Sequence, residues 1–301
     1  MKRENIKLNS SSDGLALDVL YILPEGEIKA IVQLVHGMAE HKERYIDFME
    51  FLANNGYATI IHDNRGHGAS VKCRDDLGYF YDDTARFVVD DVKDVMEYIK
   101  DLIPNKDVYL FGHSMGSLIV RNFIQRYDNL INKLIVCGSP SKNDTAGLAV
   151  TMAKFIRSTK GDHYRSSMIN DLAFSSFNPS GAKENSWISY NETNVDAYNA
   201  NPLDGFVFTV NGFINLFLLL ENCYLKRLYA VQNKDLKIFF VSGADDPCLV
   251  NKEKWESAVN FMRKLGYGNV DGKLYPKMRH EILNEVNHQI VYDDILRFIK
   301  N

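Results

Sequence analysis

Residues 108–116 read Val-Tyr-Leu-Phe-Gly-His-Ser-Met-Gly. The apolar start predicts a short buried strand, and the helical pattern of Met115–Tyr127 predicts a helix directly after it. Between them lies a Gly-X-Ser-X-Gly turn, in which Gly112 and Gly116 lack the Cβ atoms that would collide in so sharp a bend. The turn presents the Ser114 hydroxyl at the strand end and the helix N-terminus. We therefore expect Ser114 to be a nucleophile; the alternative is a serine with only a structural role in the turn.

The same order of strand and helix recurs along the chain. Short apolar runs rich in β-branched residues suit strands buried on both faces of a parallel sheet. Such runs occur at Ala30–Val35, Tyr57–Ile61, Val108–Phe111, Lys133–Cys137 and Leu236–Val241. Segments of helical period occur at Tyr45–Asn54, Thr84–Leu102, Met115–Tyr127, Lys252–Lys264 and Val291–Ile299. The alternation predicts a doubly wound α/β domain with a mostly parallel sheet, preceded by an antiparallel hairpin of Ile6–Leu8 and Leu15–Ile22.

The alternation is interrupted once. It stops after Cys137 and resumes at Leu236, and the residues between are rich in Ser, Asn, Tyr and Phe without a clear buried strand. We predict that residues 1–140 and 234–301 form the core. Residues 141–233, here called the cap segment, are predicted to form an inserted, mostly helical cap.

Composition places the chain among ordinary globular proteins. It has 301 residues, of which 46% are hydrophobic and 25% charged. The net charge of −4, from 35 basic and 39 acidic residues, lacks the basic excess of a nucleic-acid-binding protein. The four cysteines form no C-x-x-C pair, so they indicate neither a zinc site nor a redox motif. We expect them to be reduced, buried thiols.

The sequence gives no sign of membrane insertion or export. The basic N-terminal residues are not followed by the apolar run of a secretory signal, which predicts a cytoplasmic location. The most apolar segment, Phe206–Leu220, is interrupted by polar residues and is shorter than the ~20 residues that a membrane span needs. We therefore predict no transmembrane helix.

A serine nucleophile requires a base, and in a fold of this kind the histidine comes last in the chain. Two histidines follow the cap segment. His280 follows a short strand candidate near Leu274 and precedes the last helix, whereas His288 lies at the start of that helix and is more simply a surface residue. We expect His280 to be the base and activity to rise with pH through the histidine range, about 6 to 7.5.

The carboxylate that orients the base should follow the strand Leu236–Val241. Two aspartates compete there, Asp245 and Asp246. Pro247 restricts the residue before it to an extended conformation, and the fourth position of a Gly-X-X-Asp turn points back over the sheet edge. We therefore prefer Asp246 and retain Asp245 as the alternative.

The oxyanion formed during acyl transfer needs two backbone N–H donors. One is expected from the residue after the nucleophile, Met115, and the other from the loop after an early central strand, at Met38. Because the donors are main-chain groups, the methionine side chains are free to line the pocket.

Four motifs together resemble the monoacylglycerol lipase and lysophospholipase group of α/β-hydrolases. The resemblance covers about Ala30–Pro140 and Leu236–Ile299 and is weak through the cap segment. Its motifs are His36-Gly37-Met38-Ala39-Glu40-His41, Asp63-Asn64-Arg65-Gly66-His67-Gly68-Ala69-Ser70, Gly112-His113-Ser114-Met115-Gly116 and Arg279-His280-Glu281-Ile282-Leu283-Asn284-Glu285.

The resemblance implies an α/β-hydrolase fold with an inserted cap, and it implies roles for individual residues. Ser114, Asp246 and His280 would form the catalytic triad, with Met38 and Met115 as oxyanion donors. The residues that would hold the surrounding loops are His36, Gly37, Glu40, Arg65 and His67. In the cap segment, Trp187–Tyr190 and Asn201–Phe206 look closer to bacterial lysophospholipase-like members than to animal monoacylglycerol lipases, which leaves the substrate open.

Three aromatic residues of the cap segment are candidates for the substrate pocket. Phe206, Phe213 and Phe217, followed by Leu220, are spaced by 7, 4 and 3 residues, which predicts one helical face. That face would either pack the cap segment on the core or form a wall for an acyl chain.

The motifs predict a serine hydrolase that cleaves carboxylic esters through an acyl-enzyme, and the resemblance implies substrates such as monoacylglycerols or lysophospholipids. Aminopeptidase or acyltransferase activity on the same triad stays open, and a non-catalytic ligand-binding protein is the further alternative. A metal hydrolase is disfavoured, because the clustered histidines form neither H-E-x-x-H nor H-x-x-E-H. We expect no cofactor or metal, a small acyl ester or lipid as partner, and no nucleic acid. The sequence leaves transient contact with a membrane surface and the oligomeric state open.

Overall fold

The computed structural model describes residues 1–143, 146–178 and 181–301, in which eight strands form a single sheet. The strands are β1 (Lys2–Asn9), β2 (Ala16–Leu23), β3 (Ala30–Val35), β4 (Tyr57–His62), β5 (Val108–His113), β6 (Lys133–Cys137), β7 (Lys237–Gly243) and β8 (Asn269–Tyr275). Their order across the sheet is β1-β2-β4-β3-β5-β6-β7-β8. The first two strands pair antiparallel and the remaining six are mutually parallel. The predicted α/β-hydrolase fold with a mostly parallel sheet is confirmed.

The sheet is enclosed by helices because its central strands are apolar on both faces. Every residue of β3, β4, β5 and β6 is buried, as expected for parallel strands covered on each side. The helices are α1 (Ile46–Asn54), α2 (Phe87–Leu102), α3 (Met115–Tyr127), α4 (Ala146–Lys160), α5 (Ser167–Phe174), α6 (Glu192–Ala200), α7 (Val210–Asn222), α8 (Lys252–Leu265) and α9 (Gln289–Lys300). Helices α1 and α9 pack on one face, and α2, α3 and α8 pack on the other.

Four of these helices, α4 to α7, lie in the cap segment between β6 and β7. Helices α4, α5 and α7 contribute buried residues to the main core, whereas Val195 and Tyr198 of α6 form a small separate cluster with Ile188. The apolar residues of α7, such as Phe213 and Leu219, join the same buried cluster as those of α2 and α3. The predicted division into core and cap segment stays a prediction. Among the described residues, no helix combines the length and the apolar character that a bilayer crossing requires.

Two predictions made from the sequence are wrong. Phe206 does not share a helical face with Phe213 and Phe217, because α7 begins only at Val210. The Thr209 hydroxyl accepts a hydrogen bond from the Gly212 N–H at 3.1 Å. This N-terminal hydrogen bond makes α7 begin after Phe206. Cys73 is exposed, whereas the other three cysteines are buried thiols as expected.

Candidate active site

Ser114 lies on the sharp turn between β5 and α3. Its backbone has φ 54° and ψ −120°, a region that residues other than glycine rarely adopt. The Ser114 N–H donates a hydrogen bond of 2.9 Å to the Cys137 carbonyl at the end of β6. The two flanking glycines permit this geometry: a Cβ on Gly116 would lie 2.1 Å from the Val35 carbonyl oxygen, and one on Gly112 would lie 2.4 Å from the Gly116 carbonyl oxygen.

Replacing Gly116 with alanine is expected to destabilise the protein by roughly 3 kcal/mol or more, because the added methyl group meets backbone that cannot move aside. Gly147→Ala in α4 is the matched control, since the nearest atom to its added Cβ is 3.6 Å away. Alanine in a helix is favoured over glycine by about 0.5–1 kcal/mol. Urea unfolding of both variants measures the difference. Equal free energies of unfolding for the two variants would contradict the tight approach at Gly116.

His280 and Asp246 follow two adjacent strands and form a buried pair. Asp246 lies after β7 and His280 after β8, and His280 Nδ1 is 2.9 Å from Asp246 Oδ2. The aspartate also accepts hydrogen bonds from the Ser242 hydroxyl at 3.0 Å and from the Cys248 N–H at 2.9 Å. Its backbone is extended, with φ −75° and ψ 115°, as expected before proline. The carboxylate is therefore fixed in place on both of its oxygens.

The competing residues from the sequence lie elsewhere. Asp245 is exposed, and its carboxylate accepts a hydrogen bond from the Tyr190 hydroxyl at 3.1 Å. His288 lies immediately before α9, where its ring is 2.8 Å from the Glu285 carbonyl oxygen. Neither residue belongs to the buried pair.

The pair has opposite pKa shifts with one electrostatic cause. Burial acts against the charged form of each group, raising the pKa of Asp246 and lowering that of His280. The attraction and hydrogen bond between the two groups outweigh burial, so the pKa of Asp246 is below and the pKa of His280 above its ordinary value. The arrangement therefore stabilises an imidazolium beside a carboxylate.

The Ser114 turn and the His280 loop meet beside the end of β6. Gly138 follows Cys137, whose carbonyl binds the Ser114 N–H, and a Cβ built on Gly138 would lie 3.3 Å from His280 Cε1. His113 joins the two loops, because its Nε2 is 3.2 Å from the His280 carbonyl oxygen. The carboxyl ends of parallel strands share one sheet edge, and that edge brings the three predicted triad residues into one region.

The loop after β3 lies against the Ser114 turn. A Cβ on Gly37 would be 3.0 Å from Ser114 Cβ, so only glycine allows this approach. Among the described residues, neither the Met38 N–H nor the Met115 N–H has a hydrogen-bond acceptor. The assignment of these two N–H groups as oxyanion donors stays a prediction.

His36 fixes the same loop as a neutral histidine. Its Nε2 accepts a hydrogen bond from the Asn64 N–H at 2.8 Å, which assigns the proton to Nδ1, 2.9 Å from the Gly37 carbonyl oxygen. Burial lowers the pKa of His36 to about 4. Its role here is to hold the backbone around Gly37.

A buried ion network connects this loop with the loop of His280. Arg44 Nη1 donates to Glu40 at 2.8 Å and to Glu281 at 2.7 Å, and Arg44 Nη2 donates to Glu281 at 2.6 Å. Glu40 also accepts the Gly37 N–H at 2.5 Å. Because Glu281 follows His280 directly, Arg44 ties both sides of the site together.

The cap segment reaches this network and the histidine. Asn194 Nδ2 donates to Glu281 at 2.7 Å, and the Ile188 carbonyl accepts the Glu281 N–H at 2.7 Å. The Trp187 ring centre is 5.0 Å from that of His280. The cap segment is therefore anchored beside His280 through polar contacts as well as through an aromatic one.

The sequence itself assigns the chain to a family. The sequence model of the family described as serine aminopeptidase, S33, matches residues 26–287. The chain belongs to this family. Membership agrees with the resemblance drawn from the four motifs and confirms it.

Several known proteins are similar to this S33 family member. Probable lysophospholipase L2 of Haemophilus influenzae is 31% identical over 115 residues, which are 38% of this chain and 36% of that protein. Mouse monoglyceride lipase is 27% identical over 297 residues, covering 92% of this chain and 87% of that one. The crystal structure of a thermostable carboxyl esterase from Bacillus coagulans in complex with glycerol matches with a TM-score of 0.88 at 21% identity. That match covers 100% of this chain and 98% of the esterase, and it shows a shared fold.

The aromatic residues proposed for the pocket of this S33 family member fall in different environments. Phe206 is half-buried, with its ring centre 5.5 Å from that of His67. Phe213 is fully buried. Phe217 is half-buried and stacks on Phe213 at 5.9 Å. Packing explains Phe213, while Phe206 and Phe217 keep surface that a ligand can contact.

One group of side chains in the described residues has metal-ligand character: Asp246, Cys248 and His280, with ligand atoms within 4.8 Å of one another. The carboxylate and imidazole atoms in this group are already paired at 2.9 Å. A metal ion would have to replace that hydrogen bond, so the donor set fits the hydrogen-bonded pair better than an ion site.

Proposed function

We propose that the chain is a serine hydrolase that cleaves esters with a single acyl chain, such as monoacylglycerols or lysophospholipids. The buried pair of His280 and Asp246 beside the strained Ser114 turn is the observation that carries the proposal. The class of enzyme, a carboxylic ester hydrolase, is confirmed by the relatives named as monoglyceride lipase and lysophospholipase.

The mechanism we propose uses each of these groups in turn. His280 takes the proton of Ser114 as its oxygen attacks the ester carbonyl, and the carboxylate of Asp246 stabilises the imidazolium without taking the proton. The N–H groups of Met38 and Met115 donate hydrogen bonds to the oxyanion. His280 then returns the proton to the leaving alcohol, which leaves an acyl-enzyme. Water, deprotonated by the same histidine, releases the carboxylic acid and restores Ser114.

An aminopeptidase is the second candidate, because the matching family carries that description. Such an enzyme needs a free carboxylate near the nucleophile to bind the substrate ammonium. The buried acids Glu40, Asp204 and Glu281 already face Arg44 at 2.8, 3.8 and 2.6 Å. This pairing favours an uncharged ester over an amine substrate.

A substrate panel tests the proposal. The purified protein is assayed with a long-chain monoacylglycerol, a lysophosphatidylcholine, a short nitrophenyl ester and an aminoacyl anilide. We expect turnover of the esters and at least about a hundredfold lower kcat/KM for the anilide. A preference for the anilide would replace the ester proposal with the aminopeptidase. Absence of turnover on every substrate would refute both.

The pH profile follows from the pKa of His280. The base acts in its neutral form, so kcat/KM should rise about tenfold per pH unit until the pH passes the pKa of His280. Since Asp246 raises that pKa above the ordinary 6.5, the midpoint should lie above pH 6.5 in the free enzyme. Initial rates on a nitrophenyl ester, corrected for spontaneous hydrolysis, measure it. A rate that is highest in acid, near about pH 4, would contradict a histidine base.

A further inference from the structure

Arg121, on α3, is a buried arginine for which the described residues provide no carboxylate partner. Its side chain is fully buried, and its Nη1 contacts two hydroxyl groups, those of Ser139 and Tyr224, each at 3.3 Å. Its Nε and Nη2 have no hydrogen-bond partner within residues 1–143, 146–178 and 181–301. The polar groups that interact electrostatically with its guanidinium are Tyr224, Cys223 and Tyr229, none of which is a carboxylate.

Two other arginines with little or no exposed surface have the carboxylate partners that Arg121 lacks among the described residues. Arg65, also fully buried, forms ion pairs with Asp91 at 2.8 Å and Asp13 at 3.1 Å. Arg44 is paired with Glu40 and Glu281. A buried guanidinium without a counter-charge carries a large desolvation penalty, which an anion would offset.

The two unpaired donors have the geometry of a binding fork. Nε–H and one N–H of Nη2 lie on the same edge of a guanidinium and point in parallel. In Arg65 that edge holds both carboxylate oxygens of Asp91, at 2.8 Å from Nε and 3.0 Å from Nη2. In the described part of the chain no acid occupies the same edge of Arg121, which therefore offers a second anion-binding fork.

We propose that this edge of Arg121 binds a small monovalent anion, either a halide or a short carboxylate such as formate. We restrict the ligand to small anions because the Arg121 side chain is fully buried, with its Cζ 4.5 Å from the Tyr224 ring centre and 5.9 Å from that of Phe240. A long-chain or bulky polyatomic anion would need an opening to solvent, which a fully buried side chain lacks.

The position of the site indicates what the anion does. Ser139 follows β6, and it stands two residues after Cys137, whose carbonyl binds the Ser114 N–H. Tyr224 follows α7 of the cap segment, and its hydroxyl lies 3.2 Å from the Pro140 carbonyl oxygen. A bound anion neutralises Arg121 where α3, β6 and the end of α7 meet. It therefore stabilises the packing of the cap segment on the nucleophile helix, independently of the reaction proposed at Ser114.

Thermal unfolding in different sodium salts at equal ionic strength tests the proposal. Gluconate, which is too large for the site, is the reference against chloride, bromide and formate. We expect the Tm to rise by roughly 2–5 °C in at least one of the small anions, since a ligand that binds only the folded state stabilises it. The anion that raises it distinguishes a halide from a carboxylate ligand. In Arg121→Met the rise should disappear. In Arg227→Met, the same change at an exposed arginine, it should persist.

A second measurement covers the case in which Arg121→Met does not fold. Ser139→Ala and Tyr224→Phe keep the charge of Arg121, and each removes one hydroxyl group that contacts Nη1. Because these contacts hold the guanidinium in position, the half-maximal anion concentration should rise about fivefold in each variant. Bromide-soaked crystals of the unaltered protein should show an anomalous peak at the Nε–Nη2 edge. Equal Tm in all four salts, an equal rise in Arg121→Met, or water alone at that edge would each overturn the proposal. None of these outcomes depends on ester turnover.

Discussion

Alanine at position 114 is expected to lower kcat on a nitrophenyl ester by roughly ten-thousand- to a million-fold. The variant lacks the oxygen that would attack the carbonyl, and water placed by the remaining groups is a poor substitute. The loss should appear in kcat and much less in KM, because the binding surface is unchanged. A fluorophosphonate probe should label the unaltered protein in a one-to-one ratio and leave Ser114→Ala unlabelled.

Ser158→Ala is the matched control for this experiment. Ser158 is an exposed serine of α4 whose hydroxyl donates to the Phe155 carbonyl, so its loss should leave turnover and labelling unchanged. Ser114→Ala should keep the far-UV circular dichroism spectrum of the unaltered protein, since the Ser114 N–H that binds Cys137 remains. A Ser114→Ala protein that is folded and keeps activity within tenfold would refute the nucleophile assignment.

The sheet and the turn were predictable because their signals are local. A strand buried on both faces needs an unbroken apolar run, and five such runs marked the strands β3 to β7. The Gly-X-Ser-X-Gly turn could also be predicted from local sequence, because a Cβ on Gly112 or Gly116 would collide with nearby backbone and both positions therefore require glycine. His280 and Asp246 could be named because parallel strands bring their carboxyl ends to one edge, whatever the distance along the chain.

Polar contacts between residues far apart in the chain could not be predicted from the sequence. Arg44 and Glu281 are 237 residues apart, and nothing in either local pattern indicates that they meet. The environment of Arg121 is still harder to predict from the sequence. Arg121 occupies a helix whose other buried residues are mostly apolar, and its significance rests on the absence of a neighbouring acid among the described residues, which only the packed structure reveals.

The start of α7 in the cap segment was predicted wrongly for a different reason. Periodicity assigned Phe206 to a helical face, but a helix begins where its first N–H groups find acceptors, and Thr209 supplies that acceptor three residues later. Spacing reports a possible face and cannot report where the helix starts. Preference among acyl groups depends on where the helices of the cap segment begin and which side chains they expose, and the substrate panel measures that preference.

Asparagine at position 246 is expected to lower kcat by roughly ten-thousand-fold, and asparagine at position 245 by less than about twofold. The two aspartates are adjacent in sequence, yet only Asp246 accepts a hydrogen bond from the His280 ring, at 2.9 Å, while Asp245 is exposed beside Tyr190. An amide at position 246 no longer attracts the imidazolium, and its NH₂ group can force the wrong histidine tautomer.

A pH profile separates this electrostatic role from simple loss of structure. Asp246 raises the pKa of His280 against the effect of burial, so in Asp246→Asn the residual activity should rise at a lower pH than in the unaltered protein. Asp245→Asn should keep the original midpoint. If Asp245→Asn instead abolished activity and moved the midpoint, the carboxylate would be reassigned to the other aspartate. If Asp246→Asn lost activity without any shift of the midpoint, the carboxylate would act by supporting the loop through Ser242 and Cys248, and not through the charge on His280.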